Sequence, residues 1–139
     1  MRKILEILIV ILVSLASPVR PRCQEQTTLP DNIKSIIGRN CSISGCHQGR
    51  YPAGNLNLEP DKFLASVLNA ASLEVPGKKI VDPAAPEKSY LLAKIKGEPG
   101  IVGARMPANR RPLSADEIKS VEAWVLSLKD NSSRPGAPV

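Results

Sequence analysis

The chain has 139 residues, with 19 Lys and Arg against 13 Asp and Glu and a net charge of +6. This length allows one domain with a modest core. With one Phe, two Tyr, one Trp and no basic helix, the sequence lacks a platform for stacking bases, so we predict that it does not bind nucleic acid. A moderately basic protein instead suits an acidic partner protein or a membrane surface.

The first residues have the pattern of an export signal. Arg2 and Lys3 give it a positive start, residues 7–13 are an unbroken apolar run, and small residues follow up to position 17. The run is shorter than the roughly 20 apolar residues that span a bilayer. We predict a signal peptide over residues 1–17, with a retained anchor as the alternative. The mature protein would be periplasmic or secreted, without a membrane span.

Residues 18–30 are rich in proline and polar residues and have no periodicity, which predicts a flexible leader. A first helix is expected over 31–39, because Ile33, Ile36 and Ile37 share one helical face. A second apolar stripe predicts a helix over 60–71.

A third helix is predicted over 87–96, and the segment 97–112 has neither helical nor strand periodicity. A structureless loop of that length in a compact domain is usually functional or disordered. The closing helix is the clearest, because Ser114 and Glu117 match a capping box and apolar residues then repeat at intervals of three and four. We therefore predict an all-α domain over 31–129, with about four short helices and long loops, and a disordered tail over 130–139.

Residues 41–47, CSISGCH, contain two of the three cysteines and the only histidine. Covalent attachment of haem needs two thiols, which add to the two vinyl groups, and an adjacent imidazole that reaches the iron from the same side. The usual spacing places two residues between the cysteines, whereas four lie between Cys41 and Cys46. Gly45 makes the wider loop feasible, because glycine is unrestricted in φ.

Three other interpretations of this motif stay open. Export would favour a disulfide between Cys41 and Cys46. Cys23, Cys41, Cys46 and His47 have the right count for a Cys₃His zinc site, although an adjacent Cys and His fit one tetrahedron poorly. His47 could also be a histidine without a ligand role, but it lies in a polar loop rather than on an apolar face.

Met106 is the only methionine besides the initiator and lies in the loop 97–112. It belongs to no apolar stripe, and Pro107 favours an extended backbone at Met106. Histidine and methionine together are the axial pair of electron-transfer haems, in which the thioether raises the reduction potential.

In this order, the motifs resemble the mono-haem domain of class I-type cytochromes c, close to those of planctomycete-type cytochromes. The resemblance extends over residues 33–128 and rests on CSISGCH, AGNLNL, VDPAAPEKSYLLAKI, RMP and LSADEIKSVEAWV. It implies a cytochrome c-like fold wrapped around one covalently attached haem c. Cys41 and Cys46 would hold the vinyl carbons, and His47 and Met106 would ligate the iron. The second ring nitrogen of His47 would donate to the carbonyl of Pro52 or a neighbour.

The resemblance also implies which residues surround the haem. Eight apolar residues are expected to pack around it or between the helices: Ile36, Ile37, Leu56, Leu58, Leu91, Leu92, Ile95 and Trp124. Seven basic residues lie in or near the loop 97–112, and they would steer an acidic redox partner if they surround the exposed haem edge; the alternative is an ordinary solvated surface. They are Lys78, Lys79, Lys94, Lys96, Arg105, Arg110 and Arg111.

With both axial positions filled, the iron would have no open site for a substrate. The implied function is one-electron transfer by a soluble exported carrier that is not an enzyme. The alternatives are a haem-based sensor in which Met106 is displaced by a ligand, and a haem-free interaction domain stabilised by a disulfide or zinc.

Overall fold

The computed structural model describes residues 28–132, with side chains up to residue 129. This part of the chain is all-α, as predicted. It contains α1 (Asp31–Asn40), α2 (Phe63–Val67), α3 (Tyr90–Lys96) and α4 (Ala115–Ser132), together with 3₁₀ turns at Ala53–Asn55 and Pro86–Lys88. Two isolated bridges, Leu68 with Val81 and Ala71 with Lys79, are the only β-type pairing in the described residues.

Helix α4 is the central element of the packing, because it contacts α1, α3 and the turn Pro86–Lys88. The predicted capping box is confirmed: the amide of Ser114 donates to Oε2 of Glu117 (2.9 Å), and the amide of Glu117 donates to Oγ of Ser114 (3.2 Å). The rings of Phe63 and Trp124 pack with centroids 5.6 Å apart and planes tilted by 53°. This aromatic pair joins α2 to α4 within an otherwise aliphatic core.

Of the eight apolar residues expected around the haem or between the helices, all but Leu56 are buried, and Leu56 is partly buried and packs against them. Leu29, inside the predicted leader 18–30, is only 4% exposed and belongs to the core. Helix α4 continues to Ser132 and therefore extends beyond the predicted boundary at 129. The predicted signal peptide over 1–17, residues 18–27 of the predicted leader, which include Cys23, and residues 133–139 lie outside the described residues.

The second and third helices are shorter than the sequence predicted. Helix α2 covers Phe63–Val67 rather than 60–71, and it ends there because the chain turns to pair with a later segment: the amide of Asn69 donates to the carbonyl of Val81 (2.9 Å). Helix α3 begins at Tyr90 rather than 87, because Pro86–Lys88 forms a separate 3₁₀ turn and the backbone of Ser89 (ψ 126°) is not helical. No helix within residues 28–132 is long and apolar enough to cross a membrane.

Candidate functional site

The segment after α1 folds into a closed turn over residues 41–47. The amides of Cys41 and Ser42 both donate to the carbonyl of Ile37, at 2.8 and 2.9 Å, so the motif itself caps the end of α1. The amide of His47 donates to the carbonyl of Cys41 at 3.2 Å and closes the turn. Gly45 has φ of 79°, a conformation that side chains rarely adopt. The wide cysteine spacing is therefore accommodated by a turn that brings His47 back to Cys41.

Main-chain carbonyls hold the imidazole of His47. Its Nδ1 lies 3.1 Å from the carbonyl oxygens of both Ala53 and Leu56. The carbonyl of His47 itself accepts from the amide of Leu58 at 2.8 Å. Nδ1 must carry the proton to bond these carbonyls, which leaves the ring's lone pair on Nε2. The prediction that Pro52 or a neighbouring carbonyl orients the ring is confirmed by Ala53.

The two cysteines of the motif are free thiols in the structure. Cys41 is buried, with 8% of its surface exposed, whereas Cys46 is partly exposed. Burial raises the pKa of the Cys41 thiol to about 11, and the nearby Cys46 and Glu117 add to the effect. Cys41 is therefore a neutral thiol at pH 7. In the part of the chain that the structure describes, no three His, Cys, Asp or Glu side chains are placed to share a metal ion. The zinc alternative requires Cys23, which lies outside that part.

Met106 reaches the site from the loop after α3. Residues 97–112 contain no helix or strand, as predicted, but they are held by hydrogen bonds to α3. The amide of Met106 donates to the carbonyl of Lys94 (2.9 Å), and Nε of Arg105 donates to the carbonyl of Ile95 (2.8 Å). Gly97 lets the loop approach α3 closely, because a Cβ there would lie 2.9 Å from Cδ of Arg105. The loop is thus placed by α3.

Cys41, Cys46, His47 and Met106 all line one cavity of about 520 Å³. This volume lies within the range of roughly 300–1,000 Å³ that is common for cofactor sites. Further walls are apolar and come from Leu56, Leu58, Ile80, Leu91 and Ile95. Two thiols, one imidazole and one thioether around a largely apolar space fit a covalently attached haem with His and Met ligation.

One wall of the cavity is polar, and sequence reasoning did not identify it as part of the site. Glu74, Tyr90 and Lys94 line the cavity and contact one another. The hydroxyl of Tyr90 donates to Oε2 of Glu74 at 2.7 Å, and Nζ of Lys94 lies 3.1 Å from the same oxygen. Tyr90 and Lys94 are one turn apart on the predicted helix 87–96, so the sequence could have placed them on one face. No sequence pattern pointed to Glu74.

Contacts within the polar wall shift the pKa values of Glu74 and Tyr90. Partial burial disfavours the charged form of Glu74, but hydrogen bonds from Tyr90 and Lys94 outweigh it and lower the pKa of the carboxyl. Burial and then the Glu74 charge raise the pKa of Tyr90, against the effect of the Val102 amide. Glu74 is therefore ionised and Tyr90 neutral at pH 7.

The seven basic residues expected to steer a partner differ in burial and in whether they already bond to other groups of the chain. Lys94 is 8% exposed and is bonded to Glu74, so it is not a surface cation, which corrects the expectation for this residue. Lys96 is paired with Glu122 at 2.6 Å. Lys79 lies 3.2 Å from Asp82, Arg111 lies 3.8 Å from Glu117, and Arg105 bonds the Ile95 carbonyl. Lys78 and Arg110 form no ion pair among the described residues.

No protein-family model matches the chain, and comparisons with curated proteins and with solved structures give no match. The described residues form a small all-α domain whose cavity brings together the Cys-Cys-His turn (residues 41–47) and Met106 of the methionine loop (residues 97–112).

Proposed function

We propose that this chain is an exported mono-haem c-type cytochrome that acts as a one-electron carrier. The observation that carries the proposal is that Cys41, Cys46, His47 and Met106 line a single cavity. These residues come from two segments that lie far apart in the sequence. Their convergence supports the interpretation of CSISGCH and the methionine loop as two parts of one site.

Each side chain has a role in this proposal that its surroundings support. Cys41 and Cys46 hold the haem covalently, and bound haem c supplies one-electron chemistry between Fe(II) and Fe(III). His47 presents Nε2, because Nδ1 is engaged by the carbonyls of Ala53 and Leu56. Met106 would supply the second iron ligand, and its thioether would favour the reduced iron. If both ligands come from the protein, none would be left for a substrate, so the chemistry supplied would be electron transfer.

The cavity has a side from which a redox partner could approach. Gly45 and the segment Ala53–Asn55 line the cavity and are themselves exposed. Arg50 and Tyr51, in the loop between them, are exposed and stack with the guanidinium carbon 5.5 Å from the ring centroid. This surface supports docking of an acidic protein partner, because it joins a cation and an exposed aromatic ring beside the site.

The experiment that tests the proposal is production of the full chain in a host that attaches haem to exported proteins. We expect a haem stain that persists through denaturing electrophoresis, in the exported fraction. We also expect a reduced pyridine haemochrome spectrum typical of two saturated vinyl groups, and reversible one-electron reduction. The double variant Cys41→Ala/Cys46→Ala should lose the stain.

Other outcomes would support the alternatives. Tight binding of carbon monoxide by the reduced wild-type protein would favour a haem-based sensor with a displaceable Met106. A protein that remains haem-free in a competent host would exclude the carrier function. Thiol titration and zinc analysis of that protein would then separate a disulfide from a zinc site.

A further inference from the structure

The methionine loop is fixed to α3 by side chains as well as by main-chain bonds. The amide of Val102 donates to the hydroxyl of Tyr90 (3.0 Å), and the carbonyl of Val102 accepts from Nζ of Lys94 (2.8 Å). Four residues later, the amide of Met106 donates to the main-chain carbonyl of Lys94 (2.9 Å). Lys94 therefore holds the loop at two points, one through its side chain and one through its backbone.

Glu74 connects this arrangement to a different part of the chain. Its carboxylate accepts a hydrogen bond from Tyr90 and forms an ion pair with Lys94, and these are the two side chains that bond to the backbone of Val102. Glu74 is placed by a turn in which Oγ of Ser72 accepts from the amides of Glu74 and Val75, at 3.2 and 3.1 Å. The side chain of Lys94 is 10% exposed, so its charge is largely removed from water and needs this partner.

We propose that Glu74, Tyr90 and Lys94 form a positioning cluster that holds the methionine loop against α3 and thereby sets how firmly Met106 stays at the cavity. The inference rests on the proposed function, because it gives Met106 the role of an axial ligand. The cluster touches the loop at Val102 and not at the thioether. Its members are therefore positioning residues whose effect reaches Met106 through the backbone of residues 102–106.

The size of the effect follows from the type of bond. Hydrogen bonds to charged groups are strong enough that loss of one shifts a local equilibrium by about ten- to a hundredfold. Removal of the Glu74 carboxylate leaves Lys94 without its ion-pair partner and weakens its hold on Val102. We expect the population in which Met106 has left the cavity to rise by that factor.

The test compares Glu74→Ala, Glu74→Gln and Tyr90→Phe with the wild-type holoprotein. Glu74→Gln keeps an oxygen acceptor for Tyr90 but loses the charge, so its effect should be intermediate. Tyr90→Phe removes one hydroxyl and retains the ring, so it should fold even if Glu74→Ala does not. The matched control is Glu122→Gln. It breaks the 2.6 Å pair between Glu122 on α4 and Lys96 on α3, and it leaves in place the weaker 3.8 Å pair of Lys96 with Glu98 at the start of the loop as well as all bonds to Val102.

Two readouts report on Met106 itself. One is the affinity of the reduced protein for carbon monoxide, which must displace the thioether. The other is the charge-transfer absorption of the oxidised, thioether-ligated iron as pH is raised. For Glu74→Ala we expect the affinity for carbon monoxide to rise by about tenfold or more. We also expect its charge-transfer absorption to disappear at a lower pH than that of the wild type. Glu122→Gln should match the wild type in both.

The variant Met106→Leu separates the possible failures. If it opens the carbon monoxide site while Glu74→Ala and Tyr90→Phe do not, the positioning cluster is wrong and the proposed function stands. If Met106→Leu leaves both readouts unchanged, or if the protein carries no haem, both proposals are overturned. Urea unfolding separates a general loss of stability from a specific effect on Met106. If Glu122→Gln and Glu74→Ala lower the urea midpoint equally and neither changes the carbon monoxide affinity of the folded protein, the inference is also contradicted.

Discussion

Nδ2 of Asn40 lies 3.4 Å from Oε1 of Glu117, and this contact joins the end of α1 to the start of α4 across 77 residues of chain. The other oxygen of the same carboxylate completes the capping box by accepting from the amide of Ser114. Asn40 is followed directly by Cys41. Glu117 therefore caps α4 and also holds the end of α1, the helix that leads into the Cys-Cys-His turn.

Glu117→Gln should make stability less dependent on pH. The hydrogen bonds from Ser114, opposed in part by burial, hold the pKa of Glu117 below its ordinary value of 4.5. The ionised carboxylate thus stabilises the fold above that value, and the contribution is lost as pH falls through the lower pKa of the folded state. Gln can still accept from the Ser114 amide, so Glu117→Gln removes only the negative charge in the first turn of α4, and we expect it to cost about 0.5 kcal/mol at pH 7.

Urea unfolding of both proteins between pH 7 and pH 3 measures this effect. The difference in unfolding free energy between wild type and Glu117→Gln should shrink as pH falls below 4.5. Asp61→Asn changes the net charge equally at an exposed position and serves as the control. A difference that stays constant across the range would contradict the assigned role of the carboxylate.

Much of this architecture was predictable because it depends on local patterns. The capping box and apolar repeat predicted α4, the isoleucine face predicted α1, and the absence of periodicity predicted the loop 97–112. The convergence of Met106 with the motif at 41–47 was expected from the resemblance and not from geometry. The end of α2 and the start of α3 were predicted wrongly, because residues 68–71 and 90–91 pair with residues 79–81, which no local pattern reveals. Glu74 was missed for the same reason, since it matters only through contacts with another segment.

The turn at residues 41–47 should depend on Gly45. Gly45→Ala places a side chain at φ of 79° and should destabilise the protein by about 1–2 kcal/mol, and under the proposed function it should also reduce haem incorporation. Gly38→Ala is a matched control within α1, where a Cβ meets no atom within 4 Å, and it should stabilise by up to about 1 kcal/mol. Urea unfolding and haem content per chain measure both changes. Equal effects at the two positions would argue against a conformational requirement at Gly45.

If the chain is the cytochrome proposed above, its two thioether bonds to haem should be separable by mutation. Cys41→Ala and Cys46→Ala should each leave one covalent bond, so the haem stain weakens and the pyridine haemochrome spectrum shifts toward that of one unsaturated vinyl. Cys23→Ser removes the remaining cysteine and should behave as the wild type. Loss of covalent haem in Cys23→Ser, with retention in either other variant, would reassign the attachment site.

In the proposed cytochrome, Met106→Leu should lower the reduction potential, because it keeps the side-chain volume while removing the sulfur that would favour Fe(II). The reduced variant should also bind carbon monoxide, since the iron would have an open position. Ile101→Leu is the control, as it alters the same loop without touching a ligand. Potentiometric titration gives the result, and an unchanged potential would exclude Met106 as the axial ligand.

The turn at 41–47 and the methionine loop are each held by contacts between residues that are close in the sequence. The contact between α1 and α4, by contrast, joins Asn40 to Glu117 across 77 residues. The amide of His47 bonds to Cys41, and Val102 is bonded to Tyr90 only 12 residues away. Closing short loops costs little chain entropy, so local units tend to form early in folding. We therefore expect the 41–47 turn and the methionine loop on α3 to take shape independently. The packing of α1 on α4 then joins them, so the chain can present the thiols of Cys41 and Cys46 before Met106 is in place beside them.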